Sequence, residues 1–240
     1  LRRRPARITP HQSDAALQTT RSSTTRLAVG PRMPATTVNF DGIDVVASGC
    51  GCLPPDTNGE VGPNDYVQTV NASIAVYSKS GTLRTGFPKP INALWSGFDT
   101  GPACRDNNDG DPVVLYDQLA DRWVVSQFAL PGFVAGSGLN YECIAVSTSG
   151  DPTGTWNRYQ FPYTSGLLND YPKFGVWPTG YVATFNNFDN STGAFAGAGV
   201  VAYDRAAMLA GLPATLVQVN LPASTNEGGL LPDRKSTRLN

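Results

Sequence analysis

The chain has 240 residues, only 15% of them charged, with 25 Gly and 19 Pro, a composition that suits many short strands and tight turns and leaves little room for long solvated helices. Its net charge of −1 hides an asymmetry: residues 1–37 carry seven Arg against Asp14 alone, whereas residues 38–232 carry eight Lys plus Arg against seventeen Asp plus Glu. An acidic body repels phosphate backbones and the Arg-rich leader has no aromatic residue to stack on bases, so no nucleic-acid partner is expected.

In chain order, residues 1–37 mix Arg, Thr, Ser and Pro without a sustained period and read as a disordered leader or linker. The chain opens on Leu1 and shows no apolar leader with a cleavage site, which reads as a removed signal peptide or a fragment. No run of about eighteen apolar residues occurs, so no membrane span is expected. Strand-like sequence starts at Val38 and runs to Ala47, and the turn cluster Cys52-Leu-Pro-Pro-Asp-Thr-Asn-Gly59 follows.

From there the chain repeats itself. One copy opens at Asp56, turns at Gly62-Pro-Asn-Asp65 and predicts strands over 66–71 and 73–77. A second opens at Asp111 and predicts strands over 122–128 and 143–147; a third opens at Asp170, turns at Trp177-Pro-Thr-Gly180, and predicts strands over 181–186 and 199–203. Further strands are expected at 155–161 and 214–220, the matching stretch 83–98 of the first copy is irregular, and 204–211 has the spacing of one short helix. The opening Asp recurs after 55 and then 59 residues, a period typical of β-propeller blades. The expected fold is therefore an all-β, incomplete β-propeller of about three blades over residues 38–232, with 233–240 a non-native or flexible basic tail. Three blades do not close a ring, so the natural protein is expected to continue.

Four Cys, at 50, 52, 104 and 143, allow three fully paired connectivities. Cys104 with Cys143 is the preferred bridge, because Cys50 with Cys52 would close an unusually small ring. Reduced thiols or zinc are the alternative, but a lone C-x-C without nearby His is a poor zinc signature. Disulfides imply an oxidising compartment and hence a secreted, extracellular or periplasmic protein.

The phrases Pro-Pro-Asp-Thr-Asn-Gly (54–59), Asp-Gly-Asp-Pro-Val-Val-Leu-Tyr-Asp (109–117), Asn-Asp-Tyr-Pro-Lys-Phe-Gly-Val-Trp-Pro (169–178) and Gly-Gly-Leu-Leu-Pro (228–232) resemble those of a family of uncharacterised secreted bacterial β-propellers. The second repeat, through Asp111-Pro-Val-Val, Arg122-Trp-Val-Val-Ser and Pro152-Thr-Gly-Thr-Trp156, is also similar to the opening blade of five-bladed glycosidases. Ser149-Gly-Asp151 resembles a sialidase Asp-box turn with its Gly displaced to Gly154. These resemblances imply a carbohydrate-active propeller, although a sialidase would need an Arg triad whose spacing is not recognisable here.

Asp56, Asp111 and Asp170 are the candidate catalytic residues, since equivalent positions of successive blades converge near the axis and glycoside hydrolysis needs paired carboxyl groups. The competing reading is that each blade needs an Asp to accept turn N–H groups. Glu60, Glu142 and Glu227 are the candidate acids. The loop Asp106-Asn-Asn-Asp-Gly-Asp111 offers hard oxygen ligands, so Asp106, Asn108 and Asp109 are the candidate calcium ligands, with a solvated turn as the alternative. His11 is the single His and lies in the leader, so Ser-His-Asp and His-zinc chemistry lack raw material in the repeats, and no phosphate-cradling glycine motif occurs. Trp95, Trp123, Trp156 and Trp177 read as inter-blade core ahead of sugar platforms. Asn71-Ala-Ser73 and Asn190-Ser-Thr192 fit glycosylation sequons. The expected function is binding of an extracellular carbohydrate or surface ligand at the axial face; the alternative is a glycoside hydrolase.

Overall fold

A computed structural model of the chain describes residues 35–232; the leader and tail readings fall largely outside them. From Val38 on, the architecture is all-β: three four-stranded antiparallel sheets, each formed by strands consecutive in the chain. The first contains β1 (Asn58–Val61), β2 (Asp65–Val70), β3 (Ser73–Ser78) and the two-residue β4 (Lys89–Pro90). A 3-10 turn (Ile91–Trp95) and α1 (Pro102–Asp106) lead to the second sheet, of β5 (Val113–Asp117), β6 (Arg122–Ala129), β7 (Tyr141–Ser147) and β8 (Trp156–Pro162), with the one-turn α2 (Pro131–Val134) between β6 and β7. The third holds β9 (Leu167–Trp177), β10 (Gly180–Asp189), β11 (Phe195–Tyr203) and β12 (Leu216–Pro222), with α3 (Arg205–Ala210) between β11 and β12.

Residue choice explains the stacking. The strands β6 and β7 are rich in Val, Ile and aromatic residues and are buried along nearly their whole length, as strands with both faces covered must be. One face of the second sheet, with Val125, Cys143 and Ala145, packs with Val67, Ile74 and Val76 of the first around fully buried Trp95 and Trp123. Its opposite face, with Val124, Ile144 and Val146, meets Tyr181, Phe185, Val201 and Tyr203 of the third. Gly62 lies so close to the Trp123 indole that a side chain would collide with it, which is why the end of β1 carries no Cβ there.

Two devices lock the layers. Cys104 and Cys143, both fully buried with Cα atoms 5.6 Å apart, are bridged as expected and tie α1 to β7. Asp117 at the end of β5 is fully buried and accepts from Arg205 Nε at 2.7 Å and Arg205 Nη2 at 3.0 Å, and from the Tyr181 hydroxyl at 2.8 Å. This bidentate pair joins the second and third sheets.

Two expectations need correction. Residues 38–47 form no strand: the Asp44 carboxylate accepts the N–H groups of Val46 and Ala47, a local turn that competes with any ladder. The same segment lays Phe40 against Tyr66 and Tyr77, on the first sheet's outer face. Cys50 is also joined to Cys52, the small ring that the spacing argued against. The helix expected at 204–211 forms as α3, with the Asp204 side chain capping Ala207 N–H and Gly211 closing the helix in the left-handed conformation. No helix among the described residues is long and apolar enough to cross a membrane.

Candidate functional site

The first strand of each sheet lies beside the first strand of the next, β1 by β5 and β5 by β9. Asn58 Oδ1 on β1 accepts the Val114 N–H of β5 at 2.9 Å. The backbone makes the same excursion three times, just before β1 and β5 and within β9: Asp56, Asp111 and Tyr171 have φ of 42°, 46° and 55°, and each stands two residues ahead of Asn58, Val113 and Lys173. Left-handed backbone is uncommon for residues other than Gly, though Asp tolerates it better than most. The structural equivalent of Asp56 and Asp111 is therefore Tyr171, and Asp170 is displaced by one residue. The cause is a register shift in β9, where Lys173 pairs with Thr184 but Asp170 with Asn186, so that Tyr171 and Pro172 together oppose Phe185.

The displacement does not remove Asp170 from the cluster. The Asp56 and Asp170 carboxyl groups act on the titration of Asp111, and Asp56 and Asp111 on that of Asp170, so the structure does bring the three predicted residues together. Asp111 is pushed up to about 7, first by burial and then by Asp170 and Asp56. Asp170 is raised as well, chiefly by burial. Burial pushes the Lys173 ammonium down against the opposing pull of the same three carboxylates. Its Nζ lies 3.6 Å from the centre of the Tyr171 ring. A cleft of about 160 Å³ opens among Asp56, Asn58, Asp111, Tyr171 and Lys173.

Asn71, which directly follows β2, organises this cluster. Its Nδ2 donates to Asp56 Oδ2 at 2.6 Å and to the Pro54 carbonyl at 3.0 Å, while its Oδ1 accepts the Asp111 N–H at 2.8 Å. Asp111 Oδ2 in turn accepts the Tyr171 N–H at 3.3 Å, linking all three repeats. Gly110, at φ 103°, leaves the space that Asn71 Oδ1 occupies. The sequons are thus structural: Asn71 is engaged here, and Asn190 is buried, accepting from Asn140.

Behind the cluster lies an acid whose burial the sequence did not reveal. Glu142 on β7 is fully buried between the second and third sheets, and its Oε2 accepts from Asn169 Nδ2 at 2.8 Å. Burial above all, with the charge of Asp111 added, holds its carboxyl well above the ordinary range. Ser126 draws it the other way without closing a hydrogen bond of normal geometry, and Glu142 Oε1, Ser126 Oγ and Asn169 Oδ1 are left without partners. Glu60 lies on β1 and Glu227 after β12; neither is fully buried.

The calcium loop expected at Asp106, Asn108 and Asp109 is a junction whose side chains diverge. Asp106 pairs with Arg105 at 2.7 Å; Asn108 donates to the Ala72 carbonyl at 2.8 Å and accepts the Asn92 N–H at 3.2 Å; Asp109 Oδ2 accepts the Leu130 N–H at 2.7 Å. Among the described residues no group of three or more His, Cys, Asp or Glu is arranged to hold a metal ion. The Asp-box-like stretch is likewise a turn, with Asp151 Oδ1 accepting the Thr153 N–H at 2.8 Å and the Gly150 carbonyl accepting from the Trp123 indole at 3.0 Å. No protein-family model matches the chain, and no curated protein or solved structure shows significant similarity to it.

Proposed function

We propose that the three sheets are successive blades of a β-propeller in a secreted protein, and that the chain binds an extracellular carbohydrate where the first strands converge. The observation that carries the reading is a polar cleft lined by Asp56 and Asp111, with the charge of Asp170 acting on Asp111 and the half-exposed Tyr171 ring at its edge. Ionised carboxylates accept hydrogen bonds from sugar hydroxyls, a protonated Asp111 can donate one, and an aromatic ring supplies an apolar face. The two disulfides suit an oxidising compartment.

A glycoside hydrolase is the second reading, favoured by one specific observation. Asp111, at about 7, holds a proton near neutrality beside the Asp56 and Asp170 carboxyl groups, as the acid of an acid and base pair requires. The deciding experiment compares wild type with Asp111→Asn, both verified as folded, on a panel of neutral oligosaccharides, scoring binding and cleavage separately. Binding lost in the variant without any cleavage supports the binding protein; cleavage lost in the variant supports the hydrolase. A folded wild type that neither binds nor cleaves any of them overturns both.

A further inference from the structure

A second pocket, of about 430 Å³, lies beside β8, the edge strand of the second sheet opposite β5, where the segment before α1 and the segment after α3 meet. It is lined by Phe98, Trp156, Arg158, Tyr159, Leu212 and Pro213. The walls are fixed from both sides of β8, whose side chains alternate in direction. On one side Asn157 Nδ2 donates to the Met208 carbonyl at 3.0 Å, and the Tyr159 hydroxyl, 3.2 Å from the Met208 carbonyl and 3.1 Å from that of Leu212, directs its single proton at the C-terminal end of α3. On the other side Trp156 and Phe98 pack partly against the core between the first and second sheets, leaving the rest of each ring at the pocket.

Arg158 is the one cation in this pocket and has no carboxylate partner among the described residues. It makes one hydrogen bond, from Nη1 to the Ser96 carbonyl at 2.6 Å, and its guanidinium stands 5.4 Å from the centre of the Phe98 ring. One bond and one ring hold the group in place and leave the rest of its donor fork open. Asp99, the neighbour of Phe98 in the chain, already pairs with Arg105 at 2.7 Å.

We propose that this second pocket binds a carboxylated sugar, a uronic acid unit of an acidic polysaccharide, with its carboxylate on the Arg158 fork and an apolar ring face against Trp156. A planar guanidinium matches a carboxylate in bidentate geometry, and an aromatic wall matches the C–H face of a pyranose. The pocket's size is that of a small-ligand site, and its preformed walls limit the ordering cost of binding. This inference stands independently of the axial reading.

The test is calorimetric titration of the whole chain with a galacturonic acid trimer and with the methyl ester of that trimer. The acid is expected to bind, the uncharged ester to bind at least about tenfold more weakly, and Arg158→Gln to weaken the acid by a similar factor, as loss of a charge-assisted pair implies. Arg158→Lys, which keeps the charge but loses the fork, is expected to fall between, and Trp156→Phe to weaken both ligands. Equal affinity for acid and ester, unchanged affinity in a folded Arg158→Gln, or no binding of the acid by folded wild type would each overturn the assignment.

Discussion

The Asn71 carboxamide holds two Asp residues from different repeats at once: its nitrogen donates to the Asp56 carboxylate at 2.6 Å and its oxygen accepts the Asp111 backbone N–H at 2.8 Å. Truncation to Ala leaves a partly buried carboxylate and N–H unanswered, each costing on the order of 1–3 kcal/mol. Asn71→Ala is therefore expected to lower stability by about 2–4 kcal/mol in urea unfolding. Carboxyl-carbon NMR titration should also show the Asp111 pKa moving away from 7, toward the ordinary carboxylate range, as the cluster loosens.

The cluster predicts a pH dependence of stability. Asp111 has a folded pKa of about 7, above the ordinary value near 4 of the unfolded chain. A raised pKa means the folded state binds the proton more tightly, so this contribution is complete below about pH 4 and is lost as pH rises through 7. Glu142, also raised, acts in the same direction. Calorimetry is expected to show the melting temperature falling between pH 5 and 8. Asp111→Asn should flatten that fall, and Glu142→Gln should flatten the part that Asp111→Asn leaves.

Arg205 answers a fully buried carboxylate, and removing it alone strands that charge. Arg205→Met is expected to cost about 3–5 kcal/mol, the usual penalty for breaking one side of a buried pair. Following it with Asp117→Leu should recover much of the loss, because the desolvated charge is then gone. Chemical denaturation of the single and double variants measures the coupling; a single variant within about 0.5 kcal/mol of wild type would show that the pair contributes nothing.

The Cys104–Cys143 bridge closes a span of 39 residues. Chain-entropy reasoning assigns such a loop about 4 kcal/mol, so the double Cys→Ser variant is expected to unfold at markedly lower urea. Both sulfurs are fully buried, so mild reductant should leave the native bridge intact until the protein is partly unfolded.

How much of this was legible depended on whether the determining contact was local. Alternating apolar residues and Gly-rich turns predict eight of the twelve strands but not β1, β4, β5 and β9, and the recurring Asp predicts the convergence of Asp56, Asp111 and Asp170. What escaped was set at a distance or by one-residue geometry. Asp117 and Arg205 are 88 residues apart, and neither neighbourhood announces the other. Glu142 sits in Tyr-Glu-Cys-Ile-Ala-Val, where alternation does not say that both faces of β7 will be covered. The bulge in β9 makes Tyr171, not Asp170, the equivalent of Asp111, and a repeat aligned on residue identity cannot detect it. Residues 38–47 read as a strand because Val and Ile outweighed the turn-forming Asp44.

The three carboxyl groups come from positions separated by 55 and 59 residues, so no single repeat owns the cluster. A partly folded chain, with the third sheet undocked, would lack the Asp170 charge beside Asp111, whose carboxyl would then titrate lower than in the complete assembly. The near-neutral titration of Asp111 is therefore a signature of completed assembly, and following it during refolding would time the docking of the third sheet onto the second.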